Sequence, residues 1–343
     1  MTFRVDPRRL APAELTPRAL DVMPHPREAP PAPDPDAATL GDSLRRFVNA
    51  TRATSTAEID AQRSDRIRAF FDRLDVEVPV LAGEPGQTRK VAVPFRMSHT
   101  FDNGYYNAAL LEALGSSPSR VRAGLVIAGR ATPEQLGAVV RDLAELHPEE
   151  FGPDKSAEQV RNYLRDVGVG IDCAGSVQLA LFDSRGFSPE SGRVHFGLRQ
   201  RLNEDLTQLD RKSQFQKVVD PADLRPSDLI ILKPPRGEAV GHTVIVTDRS
   251  PATLTESEAR TLSREFPALA VAGKEVVKVS VASSFGFEGP QERVWVYDPE
   301  TKTWGDLGGH LFDDDGGGRR TPANSHAHSG PWNHDIHGMY HAR

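Results

Sequence analysis

The sequence of 343 residues contains a single cysteine, Cys173. One cysteine cannot form an internal disulfide, so folding requires no oxidising compartment. Long apolar runs are missing as well: no window reaches the length of a transmembrane helix, and the opening "MTFRVDPRRLAPAEL" holds no apolar segment of signal-peptide length. We therefore expect no membrane span and no signal peptide. This leaves a cytoplasmic protein or one exported by a secretion system other than Sec.

Basic clusters are also absent. The net charge of −6 is spread along the chain, and no group of Lys and Arg forms the stripe that neutralises phosphates in nucleic-acid-binding proteins. Nucleic acid is therefore not an expected partner, and the sequence shows no internal repeat. What is present, 38% hydrophobic and 26% charged residues, is typical of a globular protein with a substantial core.

Composition and pattern divide the chain into three parts. Residues 24–35, "PHPREAPPAPDP", are rich in proline and poor in apolar side chains, so we interpret residues 1–38 as a disordered tail or linker. We expect residues 39–150 to form a mainly helical region and residues 151–343 a second folded domain. Three pairs of residues have the spacing of a helix-capping box: Ser55 and Glu58, Thr132 and Gln135, Ser156 and Gln159.

Beyond residue 225 the pattern changes to short β-branched and apolar runs. These are "DLIIL", "HTVIVTD", "EVVKVSVASS" and "RVWVYD", each of the length and composition of a β-strand. Helices followed by antiparallel strands predict an α+β architecture.

Cys173 lies in "GIDCAGSVQLAL", residues 170–181. A lone cysteine is commonly a buried apolar filler, and that alternative stays open. Here, however, Asp172 precedes it and a run of small and apolar residues follows, which places the cysteine at the start of a helix. Unpaired N–H groups at a helix N-terminus favour the thiolate and lower the thiol pKa, so the position is that of a nucleophile.

A cysteine nucleophile needs a base, and histidine is the usual one. Among the 11 histidines, His242 begins the predicted strand "HTVIVTD" directly after a loop. We expect its ring to emerge at the edge of a sheet that faces the helix end. The alternative is a histidine that merely starts a strand.

The order of "DCAG", "RPSDLIIL" and "GHTVIVTD" resembles the NlpC/P60 superfamily of papain-like cysteine peptidases and amidases. The usual pattern there is Asp-Cys-Ser-Gly on a helix, Gly-Asp-Leu leading a strand, and His-Val-Gly-Ile on the next. The resemblance covers about residues 156–300. It implies a helix carrying Cys173 packed on an antiparallel sheet carrying His242, and hydrolysis of amide bonds, commonly in cell-wall peptides. No cofactor and no metal is implied.

Several features depart from the family pattern: Ala174 replaces the usual serine, Ser227 replaces the usual glycine, and the tyrosine and paired glycines common upstream of the cysteine are missing. The place of the third polar residue falls at Val281, and a hydrophobic side chain cannot orient an imidazole. Asp298, which ends "RVWVYD", could supply a carboxylate from a neighbouring strand. Two serines nearby are weaker alternatives, Ser280 and Ser284.

Five histidines crowd the C-terminal segment: His326, His328, His334, His337 and His341. Their density could bind a divalent metal, but no metal-binding frame such as His-Glu-x-x-His fixes a geometry. We expect a solvated, partly mobile segment that contains a few apolar anchors.

We therefore expect a hydrolase that cleaves amide bonds, in peptidoglycan peptides above all, through an acyl-enzyme on Cys173. Without a signal peptide, such an enzyme fits a secreted antibacterial effector with an immunity or secretion partner. Three alternatives stay open: a papain-like transferase or deamidase acting on a protein or lipid, a catalytically drifted binding module, and a metal protein.

Overall fold

The computed structural model describes residues 55–81, 86–95, 103–198, 209, 212–232, 242–263, 266–285, 289–307 and 336–343, with the backbone alone for 103–107. Eight α-helices lie within these ranges: α1 (Thr56–Asp72), α2 (Asn103–Leu114), α3 (Ala123–Ile127), α4 (Pro133–Leu146), α5 (Ala157–Asp166), α6 (Cys173–Ser184), α7 (Pro189–His195) and α8 (Glu256–Leu262). Short 3-10 turns span Pro118–Arg122, Pro148–Glu150 and Pro221–Asp223.

Nine strands lie in the same ranges: β1 (Asp75–Pro79), β2 (Thr88–Ala92), β3 (Phe215–Val218), β4 (Leu229–Leu232), β5 (Thr243–Thr253), β6 (Glu275–Phe285), β7 (Gly289–Asp298), β8 (Thr303–Asp306) and β9 (Ile336–Ala342). β1 and β2 form a hairpin-like pair. The others form one sheet in the order β3-β9-β4-β5-β6-β7-β8, with every neighbouring pair antiparallel. The predicted α+β class is confirmed.

The predicted helix starts are confirmed because they depend on local chemistry. At each of the three, the hydroxyl of the capping residue accepts a hydrogen bond from the backbone N–H of the Glu or Gln three residues on, and that side chain accepts one in return. The capping residues are Ser55, Thr132 and Ser156. Each reciprocal pair satisfies two N–H groups that a helix leaves without a partner inside it.

Alternation along the strands of the large sheet creates two apolar faces. On the first face, Leu229, Ile231 and Ile245 share one cluster with buried residues of α1, α4, α5 and α6. On the second face, Val244 and Phe285 belong to another cluster, formed mainly by strand residues. The first face therefore packs against the helices, and α6 lies on it.

The C-terminal strand β9 lies inside this sheet, between β3 and β4. Its Tyr340 is fully buried. The imidazole Nδ1 of His341 is 2.7 Å from a carboxylate oxygen of buried Asp228, and the Arg185 guanidinium donates to the Ala342 carbonyl. Strand β9 is thus an integral part of the sheet, with Met339, Tyr340 and Ala342 buried, and the expectation of a solvated segment is wrong for it. The rest of the histidine-rich segment lies outside the described residues.

Within the part of the chain that the structure describes, none of the helices combines the length and the apolarity that a membrane crossing requires.

Candidate active site

Helix α6 begins at Cys173, as the sequence predicts. Asp172 is its N-cap, with an extended backbone, and its carboxylate accepts a hydrogen bond from the Gly175 N–H. The side chains of Asp172 and Cys173 are both buried. The cap and the glycine-containing first turn together fix the cysteine at the end of the helix where backbone N–H groups point outward.

The sulfur of Cys173 contacts the start of β5. The backbone N–H groups of Thr243, Ala174 and Cys173 itself lie near the sulfur and favour its thiolate form. Thr243 directly follows His242. The Cys173 sulfur therefore lies near the peptide group that joins His242, the predicted base, to β5.

The pKa of the Cys173 thiol is raised to about 12 by burial first and by the Asp172 carboxylate second, although the backbone N–H groups lower it. The expectation that the helix N-terminus would lower this pKa overall is wrong for the described state. The N–H groups act as predicted, but desolvation of a side chain only 8% exposed outweighs them. At neutral pH the resting group is the thiol.

His242 is buried and directly precedes the first residue of β5. The Leu232 N–H donates to its carbonyl at 2.8 Å, which continues the register of β4 and β5 by one residue. Its ring lies 5.1 Å from the Phe285 ring, centroid to centroid. Residues directly opposite each other in an antiparallel pair project from the same face. The imidazole therefore projects with Leu232 and Phe285 from the second face, whereas α6 lies on the first.

Thr243 N is two covalent bonds from the Cα of His242, and its N–H lies near the Cys173 sulfur. The His242 Cα is therefore roughly 6 Å from the sulfur. The backbone of His242 is thus close to Cys173, whereas its imidazole is turned toward Phe285 on the other face of the sheet.

Two residues at the end of β6 complete this region, Ser283 and Ser284. The Ser283 hydroxyl donates to the Thr243 carbonyl at 2.7 Å, and the Ser284 hydroxyl donates to the Ile171 carbonyl at 3.0 Å. Sequence reasoning considered Ser284 only as a partner for the imidazole and overlooked Ser283. The available signal was two polar residues in succession at the end of an otherwise apolar strand.

The other candidates for a third residue lie elsewhere. Val281 is fully buried in the cluster of the second face, and Ser280 lies opposite Asp248 further along β5. Neither is at the level of Thr243, and the valine has no polar atom on its side chain.

Asp298 does not orient His242. It follows Tyr297, which lies opposite Val277 of β6, six residues before Ser283; at the rise of a β-strand this is about 20 Å from the site. Its carboxylate is 2.5 Å from the ammonium of Lys274, and the Thr301 hydroxyl donates to it. The prediction of a catalytic role is corrected on this geometry: Asp298 closes the turn between β7 and β8.

We expect Asp298→Asn to destabilise the fold in a pH-dependent way. Burial alone would raise the pKa of this carboxyl, but the hydrogen bonds from Lys274 and Thr301 outweigh it and lower the pKa below its ordinary value. A carboxyl whose pKa is lower in the folded state than in the unfolded state stabilises the fold at pH values above its unfolded pKa, near 4. This stabilisation is lost as the pH falls through the pKa of the folded state.

The free energy of unfolding of this variant should therefore be about 1–3 kcal/mol below that of the wild type at neutral pH. The difference should vanish in strong acid. Denaturant unfolding at a series of pH values measures it, and a difference that persists unchanged into acid would contradict the assignment.

The position of the family's glycine carries a distinctive backbone conformation. Ser227 has φ of 74°, in the left-handed region that glycine adopts without steric cost, and it is fully buried. Its hydroxyl accepts a hydrogen bond from the Arg185 guanidinium at 3.3 Å. The chain thus turns into β4 through the conformation that a Gly-Asp sequence favours, with serine in the glycine's place.

Metal-ligand clusters do not occur among the described residues: no group of three or more His, Cys, Asp or Glu could hold an ion there. His337 is exposed and His341 contacts Asp228. His326, His328 and His334 lie outside the described residues.

Comparisons with protein-family models, with curated proteins and with solved structures gave no match.

Proposed function

We propose that the chain is a papain-like cysteine hydrolase of the NlpC/P60 type that cleaves amide bonds, with peptidoglycan peptides as the substrate class. One observation carries the proposal: the sulfur of Cys173, at the start of α6, lies near the backbone N–H of Thr243. Cys173 and Thr243 are therefore close together, although their helix and strand are far apart in sequence. Thr243 directly follows His242, the predicted base.

Further support comes from the order of elements. The cysteine helix precedes β4 and β5, and it packs on the antiparallel sheet that they form. Ser227 adopts the glycine-like conformation at the place of the family's Gly-Asp turn. The order of the elements and the backbone conformation of Ser227 agree with the resemblance to the NlpC/P60 superfamily, although the residue type at Ser227 differs from the family pattern.

The chemistry assigns one role to each group. The His242 imidazole takes the proton from the Cys173 thiol, and the sulfur forms a bond to the substrate carbonyl carbon. The imidazolium then gives the proton to the leaving amine as the amide C–N bond breaks, which leaves a thioester. Water, activated by the same imidazole, hydrolyses the thioester and restores the thiol. In this proposal, the backbone N–H of Cys173 at the start of the helix donates a hydrogen bond to the developing oxyanion.

A thiol with a pKa of about 12 does not ionise by itself at neutral pH. Ionisation requires the imidazole to turn from Phe285 toward the sulfur, because an adjacent imidazolium stabilises a thiolate. In the proposed cycle, the ring makes this turn when substrate binds.

Purified wild-type chain incubated with peptidoglycan fragments and with simple amide substrates tests the proposal. Cys173→Ala and His242→Ala should lower kcat by several orders of magnitude while the fold persists, because each loses one reacting group. The matched control is Asp298→Asn, which alters a buried carboxylate about 20 Å away and should keep its turnover. Turnover by the Cys173→Ala variant at the wild-type rate would end the hydrolase proposal.

Delivery as an antibacterial effector, with an immunity protein as partner, is part of the same proposal. It rests on the expected peptidoglycan substrate. If it is correct, the protein directed to the periplasm of a bacterium should lyse the cell. The same protein kept in the cytoplasm, and Cys173→Ala in either compartment, should be tolerated.

A second candidate, a papain-like binding module without catalysis, is favoured by two observations. The thiol is buried with a raised pKa, and the place of the family's third polar residue is the apolar Val281. This candidate expects Cys173→Ala to bind peptidoglycan fragments as the wild type does, with no turnover in either.

A further inference from the structure

Two neighbouring hydroxyls hold both backbone segments that surround Cys173. Ser283 donates to the carbonyl of Thr243 and Ser284 to the carbonyl of Ile171, at 2.7 and 3.0 Å. Both serines are fully buried. No solvent replaces a hydrogen bond lost at such a position, so each bond constrains its segment strongly.

The backbone of Thr243 has a neighbour at both its carbonyl and its N–H. Its carbonyl accepts a hydrogen bond from Ser283, and its N–H lies near the Cys173 sulfur. On the cysteine side, the Ile171 N–H donates to the Pro94 carbonyl at 3.1 Å, while the Ile171 carbonyl accepts from Ser284. The location of the sulfur relative to β5 therefore depends on the end of β6 as well as on α6.

We propose that Ser283 and Ser284 are positioning residues for Cys173: together they fix the Ile171–Cys173 segment against the start of β5 and thereby set the thiol beside His242. In the place where the resemblance puts an orienting polar residue, this chain has Val281. Ser284 constrains the backbone that precedes the nucleophile, and Ser283 constrains the strand beside it. Neither hydroxyl orients the imidazole ring of His242. The part of this inference that concerns turnover rests on the proposed hydrolase activity.

The test uses the full chain and its one cysteine. We expect Ser283→Ala and Ser284→Ala each to accelerate alkylation of Cys173 by iodoacetamide about tenfold at mildly alkaline pH, because a loosened segment admits water and moves the thiol pKa toward its ordinary value. The curve of alkylation against pH should shift to lower pH. On a substrate, kcat should fall about tenfold with KM nearly unchanged, because the reacting groups are misplaced while binding is kept.

The matched control is Val279→Ala, a fully buried residue of the same strand on the second face. It lowers stability without touching either backbone segment, so its alkylation curve should match that of the wild type. Ser280→Ala, half-buried on β6, controls for loss of a hydroxyl.

The proposal is overturned if both serine variants alkylate along the wild-type curve, or if Val279→Ala accelerates alkylation equally. Alkylation needs no turnover, so the outcomes separate. Faster alkylation in the serine variants of a chain that hydrolyses nothing would refute the proposed function and keep the positioning role.

Discussion

Gly175→Ala should leave the protein unfolded or destabilised by more than about 3 kcal/mol. A Cβ at this position would lie 1.9 Å from the carbonyl oxygen of Gly129 and 2.9 Å from a carboxylate oxygen of Asp172. The nearer atom is backbone, so it cannot swing away as a side chain would. Gly129 itself has φ of 66°, which confines that turn further.

Circular dichroism during thermal and denaturant unfolding measures this effect. The matched control is Gly124→Ala in α3, where a Cβ meets no atom within 4 Å. Alanine is the better helix former there, so the control should be neutral or more stable by up to about 1 kcal/mol. If the two variants unfold at the same midpoint, the first turn of α6 does not approach Gly129 as described.

Deletion of residues 336–343 should abolish cooperative folding. The strand β9 pairs with β3 on one side and β4 on the other, so its loss removes both ladders and splits the sheet. It also removes Met339 from the second face and Tyr340 from the first, both buried. Each newly exposed strand edge then offers unpaired backbone groups, which promote aggregation.

Two point substitutions make this prediction quantitative. Tyr340→Ala should cost about 3–5 kcal/mol, as large-to-small substitutions of buried aromatic residues do. His337→Ala, at an exposed position of the same strand, should change the free energy of unfolding by about 0.5 kcal/mol or less. A truncated chain that unfolds with the wild-type midpoint would contradict the placement of β9.

The helix starts and the strands could be predicted from the sequence because they depend on residues that are close together along the chain. Reciprocal capping by Ser55, Thr132 and Ser156 involves residues three apart, and the first residue of α6 follows from its Asp172 cap. Strand runs such as "DLIIL" and "HTVIVTD" likewise reveal themselves by β-branched composition.

The features that sequence misses depend on contacts between distant segments. The sequence predicts a lowered pKa for the Cys173 thiol because the position at a helix N-terminus can be recognised from neighbouring residues. The burial that raises this pKa comes from packing against distant strands, which the sequence does not reveal. Asp298 was placed near His242 because strand order does not reveal which end of a long strand a residue occupies. The C-terminal strand was hidden because "IHGMYHA" has weak alternation and lies beyond a polar stretch.

The place of β9 has a consequence for biosynthesis. A ribosome delivers residues 336–342 last among the described elements, yet they lie between two strands made more than 100 residues earlier. A nascent chain can therefore form its helices and the β4–β5–β6 ladder early, but β3 cannot join β4 through their shared neighbour until that strand emerges. During this interval the incomplete sheet presents open edges, which promote aggregation. The core around the large sheet is complete only when synthesis has passed β9.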